Sequence, residues 1–171
     1  MNKMKEIKVE KVTLNIGTGK DQEKLKKALI LLEKLTSIKP IKTITNKRIA
    51  TWGLRPGLPI GCKVTVRDQR KEDIIKRLLS AKDDLLSNKQ FDNNGNLSFG
   101  IEEYINIADT KYIPEVGMMG LEACVTLQRP GFRIKRRRLN KARIGQKHRI
   151  NKKEAINFMK TQFNVEIGEE E

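Results

Sequence analysis

From Lys11 to Ile16 apolar and polar residues alternate, with Val12, Leu14 and Ile16 set between Lys11, Thr13 and Asn15. That is the period of a strand with one buried face. Gly17-Thr18-Gly19 ends it. From Asp21 the spacing changes to threes and fours, with Leu25, Ala28, Leu29, Leu32 and Leu35 set among Lys24, Lys26, Lys27 and Lys34. The spacing predicts an amphipathic helix to Ser37, stopped by Pro40. Residues 41–45 read as a second strand and residues 62–67 as a third, with Val64 and Val66 on one face and Lys63, Thr65 and Arg67 on the other. A second helix is predicted through Ile74, Ile75, Leu78 and Leu79, reaching Leu85 and Leu86. Asp92-Asn93-Asn94-Gly95 is a turn, followed by strands at residues 97–105 and 121–128. Asn151 with Glu154 three positions on has the form of a capping box, opening a last helix through Ala155, Ile156, Met159 and Phe163.

This order, βαββα and then strands, predicts an α+β fold, with helices packed on one face of a mostly antiparallel sheet. A long basic C-terminal extension is expected to follow it. The expected division is a core at residues 1–128, with a projecting loop at 46–61, and a basic extension with the C-terminal helix at 129–171, packed on the same domain. No internal repeat is visible.

Charge changes the picture more than any other property. The chain of 171 residues has a net charge of +15 and a pI near 9.9. Such an excess fits a polyanionic partner better than a small acidic substrate. Residues 129–153 concentrate it: Arg129, Arg133, Lys135, Arg136, Arg137, Arg138, Lys141, Arg143, Lys147, Arg149, Lys152 and Lys153 occur there without an Asp or Glu. So many like charges are expected to have no stable arrangement until a phosphate backbone neutralises them. The same run holds Phe132, Ile134, Leu139, Ile144 and Ile150, apolar anchors that a purely solvating tail does not need.

The connection at residues 46–61 is far longer than a usual hairpin loop. It carries Lys47, Arg48, Arg55, Trp52, three glycines and two prolines, and no acid occurs at residues 39–67. That mixture suits stacking on bases together with phosphate contact. Trp52 itself is expected to plug the edge of the core, whereas the loop as a whole is expected to be functional.

Other chemistry is thinly represented. Gly17-Thr18-Gly19-Lys20 lacks the earlier Gly and the following Ser or Thr of a Walker A loop, the places being held by Leu14 and Asp21. His148, the sole histidine, lies between Lys147 and Arg149, where it could meet a phosphate or ribose. The acids, chiefly between Asp92 and Glu122 and at Glu169-Glu170-Glu171, read as solvated surface with no acid/base or metal spacing. No enzyme, cofactor or metal site is therefore expected. Cys62 and Cys124 lack a C-x-x-C partner and are expected to be reduced, core-lining thiols. No apolar run approaches the roughly 20 residues of a spanning helix, so no membrane partner is expected, and the location expected is cytoplasmic.

Several ordered motifs resemble a known family. Val12-Thr13-Leu14-Asn15-Ile16-Gly17-Thr18-Gly19, the run from Arg55-Pro56-Gly57-Leu58-Pro59 through Arg67, and the run from Phe91-Asp92-Asn93-Asn94-Gly95 through Glu103 look like the universal large-subunit ribosomal protein L-five family. Arg129-Pro130-Gly131-Phe132-Arg133, Lys147-His148-Arg149 and Asn164-Val165-Glu166-Ile167 resemble its archaeal form. The match covers nearly the whole chain. It implies a structural constituent of the large ribosomal subunit that binds 5S rRNA in the central protuberance. It also implies contacts with 23S rRNA, with P-site tRNA, with neighbouring large-subunit proteins and with the small subunit through a bridge.

On the family pattern Asn15 and Thr65 fall at 5S rRNA contact positions, Lys42 and Lys63 are expected to join them, and the loop residues expected to face P-site tRNA are Arg48, Trp52, Arg55 and Gly57. Other rRNA contacts fall at Arg129, Arg133, Arg136, Arg137, Arg138, Lys141, Arg143, Lys147, His148 and Arg149. The chain departs from the pattern in three places. Ser37-Ile38 stands where Gly-Gln is common, Pro56 where an acid is usual, and Ile107-Ala108 where Phe-Pro is usual. The alternative reading is a free RNA chaperone or messenger-binding regulator that uses the same basic surfaces outside a ribosome.

Overall fold

The computed structural model describes residues 2–168, and the acidic tail at Glu169-Glu170-Glu171 lies outside the described residues. Strand β1 (Lys8–Gly17) is the centre of a five-stranded antiparallel sheet whose order is β2-β3-β1-β6-β5. It pairs with β3 (Pro59–Val66) and β6 (Leu121–Gln128), and the edge strands are β2 (Ile41–Ile44) and β5 (Leu97–Ile101). The alternation seen in the sequence sets the register. Leu14 lies opposite both Val64 and Ala123, and Val12 opposite Val66 and Val125, so a continuous apolar face forms across three strands.

Helices α1 (Gln22–Thr36) and α2 (Lys71–Ser80) cover that face. The Asp21 carboxylate starts α1 by accepting from the amides of Glu23 and Lys24 at 2.9 and 3.1 Å. Leu25, Ala28, Leu31 and Leu32 are its buried stripe, and Ser37, at φ +54°, closes it in the left-handed conformation. In α2 the buried residues are Ile74, Ile75, Leu78 and Leu79. Fully burying one such side chain stabilises the fold by about 1.5–3 kcal/mol.

Two expected boundaries change. Helix α2 ends at Ser80 and does not reach Leu85 or Leu86. Asp83 and Asp84 both adopt positive φ, near +55°, and turn the chain into a short strand β4 (Leu85–Ser87). That strand pairs in parallel with β7 (Glu166–Gly168), a partner with too few residues to show an alternating signal. The strand expected at residues 97–105 stops at Ile101, because Tyr104 turns inward, fully buried, and its hydroxyl accepts from the Ile113 amide at 2.9 Å.

Helix α3 (Lys152–Phe163) adds Ala155, Met159 and Phe163 to the same core, which also takes in Phe132 and Ile150 from the basic stretch. Residues 129–151 are thus folded against the body through short 3-10 turns. Among the described residues no helix is long and apolar enough to cross a membrane.

Candidate nucleic-acid interface

The sheet face away from α1 and α2 carries the polar half of the alternation. Along one row Ile41, Lys63, Asn15, Glu122 and Gly100 lie side by side, and along the next Thr65, Thr13, Cys124 and Ser98. Asn15 donates from Nδ2 to a Glu122 carboxylate oxygen at 3.2 Å. Lys63 is exposed and Thr65 half-buried. The row offers short polar side chains and a cation on an uncovered plane, groups suited to ribose hydroxyls and phosphates.

Asn15, Lys63 and Thr65 share this face, but Lys42 does not. It lies opposite Cys62 and so belongs to the other face of the edge strand. The strand period decides this, since consecutive residues alternate faces and Ile41 already lies beside Lys63. Cys124 also departs from expectation. It sits half-buried on the open face, whereas Cys62 alone lines the core, and both are free thiols. Burial pushes the Cys62 thiol up to about 11; burial, and then the Glu122 charge, raise that of Cys124.

At one edge of this plane the long connection between β2 and β3 forms a structured finger. Its tip turns over residues 50–52, closed by reciprocal amide-to-carbonyl bonds between Ile49 and Leu54 at 3.0 and 3.1 Å. Leu54 is the buried anchor, at 7% exposure, and Trp52 stands outward at 68%. Trp52 is not a core plug. Leucine two positions on fills that place, and the tryptophan ring is left free for an outside partner. Arg48, Arg55 and Gly57 are exposed on the same finger. The amides of Thr18 and Gly19 donate to the Ile60 carbonyl at 2.9 and 3.0 Å, so the glycine-rich turn supports the base of the finger instead of cradling phosphate.

The basic stretch behaves differently from its sequence expectation. Arg129 is only 5% exposed; it donates to Glu154 at 2.7 Å and to the carbonyls of Arg149 and His148 at 3.1 and 3.4 Å. Arg136 pairs with the buried Glu10 and donates to Gln128 at 3.1 Å. His148 meets the Pro130 carbonyl through Nε2 at 2.9 Å and sets its ring edge-on to Phe132 at 5.7 Å. The expectation of a segment without stable arrangement is thus corrected. Two acids from outside the run, Glu10 and Glu154, with Phe132 and Ile150 in the core, hold it in place.

This also removes Arg129 from the outward cations, and gives Arg136 and His148 internal partners. Arg133, Arg138, Lys141, Arg143, Lys147 and Arg149 are exposed, as is Arg137, whose Nε donates to Asn140 at 2.8 Å. The sequence could have pointed to Glu154 through its capping-box spacing, but carried no sign that Glu10 would meet Arg136, 126 positions away. Glu154 accepts from the Asn151 amide at 2.9 Å as well as from Arg129. Burial alone would raise its pKa, but these two donors outweigh it, so its carboxyl lies below the ordinary value.

Among the described residues no cluster of His, Cys, Asp or Glu could hold a metal ion. An uncovered polar sheet face, a finger with an outward tryptophan and a fringe of outward cations are displayed on one α+β body. A family model described as Ribosomal protein L5 matches residues 2–55, and the model for the C-terminus of the same ribosomal family matches residues 59–158. The large ribosomal subunit protein uL5 of Nanoarchaeum equitans is 48% identical over 165 residues, 96% of this chain and 97% of that protein. That of Sulfurisphaera tokodaii is 45% identical over 170 residues, 99% of this chain and 96% of the relative. The protein of the same name from Sulfolobus acidocaldarius is 46% identical over 168 residues, 98% of this chain and 94% of the relative. The chain belongs to the ribosomal protein L5 family, in its archaeal form. Members are structural ribosomal proteins, not enzymes.

Proposed function

We propose that the protein is a structural constituent of the large subunit of the cytoplasmic ribosome, binding 5S rRNA and helping to attach it to the central protuberance. What carries this reading is near-full-length similarity to large-subunit proteins in a chain whose open sheet face groups Asn15, Lys63 and Thr65. The 5S rRNA lies across that face, with hydroxyl and amide groups reading riboses and base edges while Lys63 meets phosphate. The outward cations Arg133, Arg137, Arg138, Lys141, Arg143, Lys147 and Arg149 contact 23S rRNA. The finger carrying Arg48, Trp52, Arg55 and Gly57 reaches P-site tRNA. Neighbouring large-subunit proteins and the small subunit complete the set of partners.

Cosedimentation tests this reading against the alternative of a free RNA chaperone or messenger-binding regulator. The protein is expected to stay with large subunits at near-stoichiometric occupancy after a high-salt wash, and to bind isolated 5S rRNA in a filter assay. Removal of all the protein by the wash, with messenger and 5S rRNA bound equally well, would favour the free regulator.

A further inference from the structure

A cleft of about 350 Å³ opens between the turn that precedes β5 and the basic stretch, lined by Asn94, Asn96, Phe132, Lys135, Arg143, Ile144, Arg149 and Ile150. It lies at the small end of the range in which compact ligands are held. Its walls are fixed. The Asp92 carboxylate accepts from the amides of Asn94 and Asn96 and from the Asn96 side chain, at 2.9, 2.6 and 2.6 Å, which closes the turn. Gly95, at φ +79°, then lies flush on Ile150; a Cβ there would come within 2.6 Å of the isoleucine Cγ2. Phe132 and Ile150 are core residues, so the floor is anchored to the body of the protein.

The chemistry of the lining is divided. Lys135 sits 4.9 Å from the centre of the Phe132 ring, and Arg149 has only its Nε engaged, at 3.4 Å to the Ile144 carbonyl. Arg143 and the Asn94 side chain have no partner among the described residues. No acid lines the cleft, and Asp92, the nearest in sequence, is occupied by its own turn. Three cations thus surround a small cavity with an apolar wall and an unpaired amide that can both donate and accept. A phosphate alone would need the cations and not the rest. A planar base on a phosphorylated ribose uses all three kinds of group.

We propose that this cleft holds one unstacked ribonucleotide of a bound RNA strand. Its phosphate meets Arg143, Arg149 and Lys135, its base lies over the half-buried Ile144 at the narrow exposed margins of Phe132 and Ile150, and a base edge is hydrogen-bonded by Asn94. The proposal deepens the ribosomal reading and rests on it, because it assigns a single-nucleotide seat within the surface given to 23S rRNA.

The test is a residue-resolved NMR titration of the full chain at fixed ionic strength with adenosine monophosphate, uridine monophosphate, adenosine and inorganic phosphate. A nucleotide should shift the amides of Asn94, Gly95, Asn96, Phe132 and Ile150 saturably, and more tightly than adenosine or phosphate. Arg143→Gln and Asn94→Ala should each weaken this at least fivefold, and Lys26→Gln, an exposed cation on α1 outside the cleft, by less than twofold. Equal losses at Lys26 and Arg143, or phosphate matching the nucleotides in affinity and pattern, would overturn the seat. A chain that binds 5S rRNA normally but shows no local shifts with either nucleotide overturns the seat and leaves the ribosomal reading standing. Local shifts in a chain that binds neither 5S rRNA nor large subunits support the seat and count against that reading.

Discussion

Two irregular stretches, residues 46–58 and residues 129–151, are free of acids and rich in cations, yet they hold their charge in opposite ways. The finger sends Arg48, Arg55 and Trp52 outward and anchors itself with one apolar residue, Leu54. The C-terminal stretch turns Arg129 inward and ties Arg136 to Glu10, then presents the remaining cations from a fixed platform. A count of basic residues therefore overstates what a polyanion can reach. Burial and internal acids decide which charges are structural and which are available.

The largest expected effect separates these two roles. Arg129→Ala removes a buried guanidinium that donates to the partly solvated Glu154 and to two main-chain carbonyls, which should cost about 2–4 kcal/mol of folding stability. Arg48→Ala and Arg55→Ala should each stay within about 0.5 kcal/mol of the parent, as surface changes do. Urea denaturation checks both. Equal losses in the two regions would abolish the distinction.

The Arg136 tie is expected to come next. Glu10 is buried while Arg136 is partly exposed, so Arg136→Ala leaves a buried carboxylate without its cation. A loss of about 1–3 kcal/mol should follow, with earlier tryptic cleavage within residues 133–147. Full resistance to trypsin in that variant would show that the Arg129–Glu154 tie with Phe132 and Ile150 holds the stretch without Arg136.

The smallest effect is a pH dependence. The folded-state pKa of Glu154 lies below its ordinary value near 4.5, so the stability it contributes is fully present above that value. It is lost as pH falls through the lower folded value. Glu154→Gln should therefore be less stable than the parent by about 1 kcal/mol at neutral pH, a modest figure because the carboxylate is partly solvated. The gap should close in acid. A gap that persists unchanged at strongly acidic pH would show that shape, not charge, is what Gln fails to supply.

Most of the fold was legible because its signals are local. The alternation at Val12, Leu14 and Ile16, the change of spacing from Asp21, the Asp92 turn and the Asn151/Glu154 spacing each describe one short run of chain, and each element formed where the pattern placed it. The misplaced pieces depend on distant partners. Leu85 and Leu86 continue a helical spacing, but positive φ at Asp83 and Asp84 and pairing with β7 take them into a strand. Lys42 carries the expected charge, but only the pairing of β2 with β3 shows which face it occupies. The pairing of Arg136 with Glu10 joins the two ends of the chain, and no spacing rule reaches that far.

That same sheet-face assignment gives the most direct test of RNA binding by the open face. Lys63 and Lys42 are exposed lysines on neighbouring strands and on opposite faces of one sheet. Lys63→Glu and Lys42→Glu make the same change in net charge, so a difference between them reports geometry and not bulk electrostatics. In a filter-binding titration with 5S rRNA at fixed salt, Lys63→Glu should weaken affinity by about tenfold, near 1.4 kcal/mol, and Lys42→Glu by less than about twofold. Equal losses in the two variants, or a greater loss at Lys42, would contradict binding through the open face.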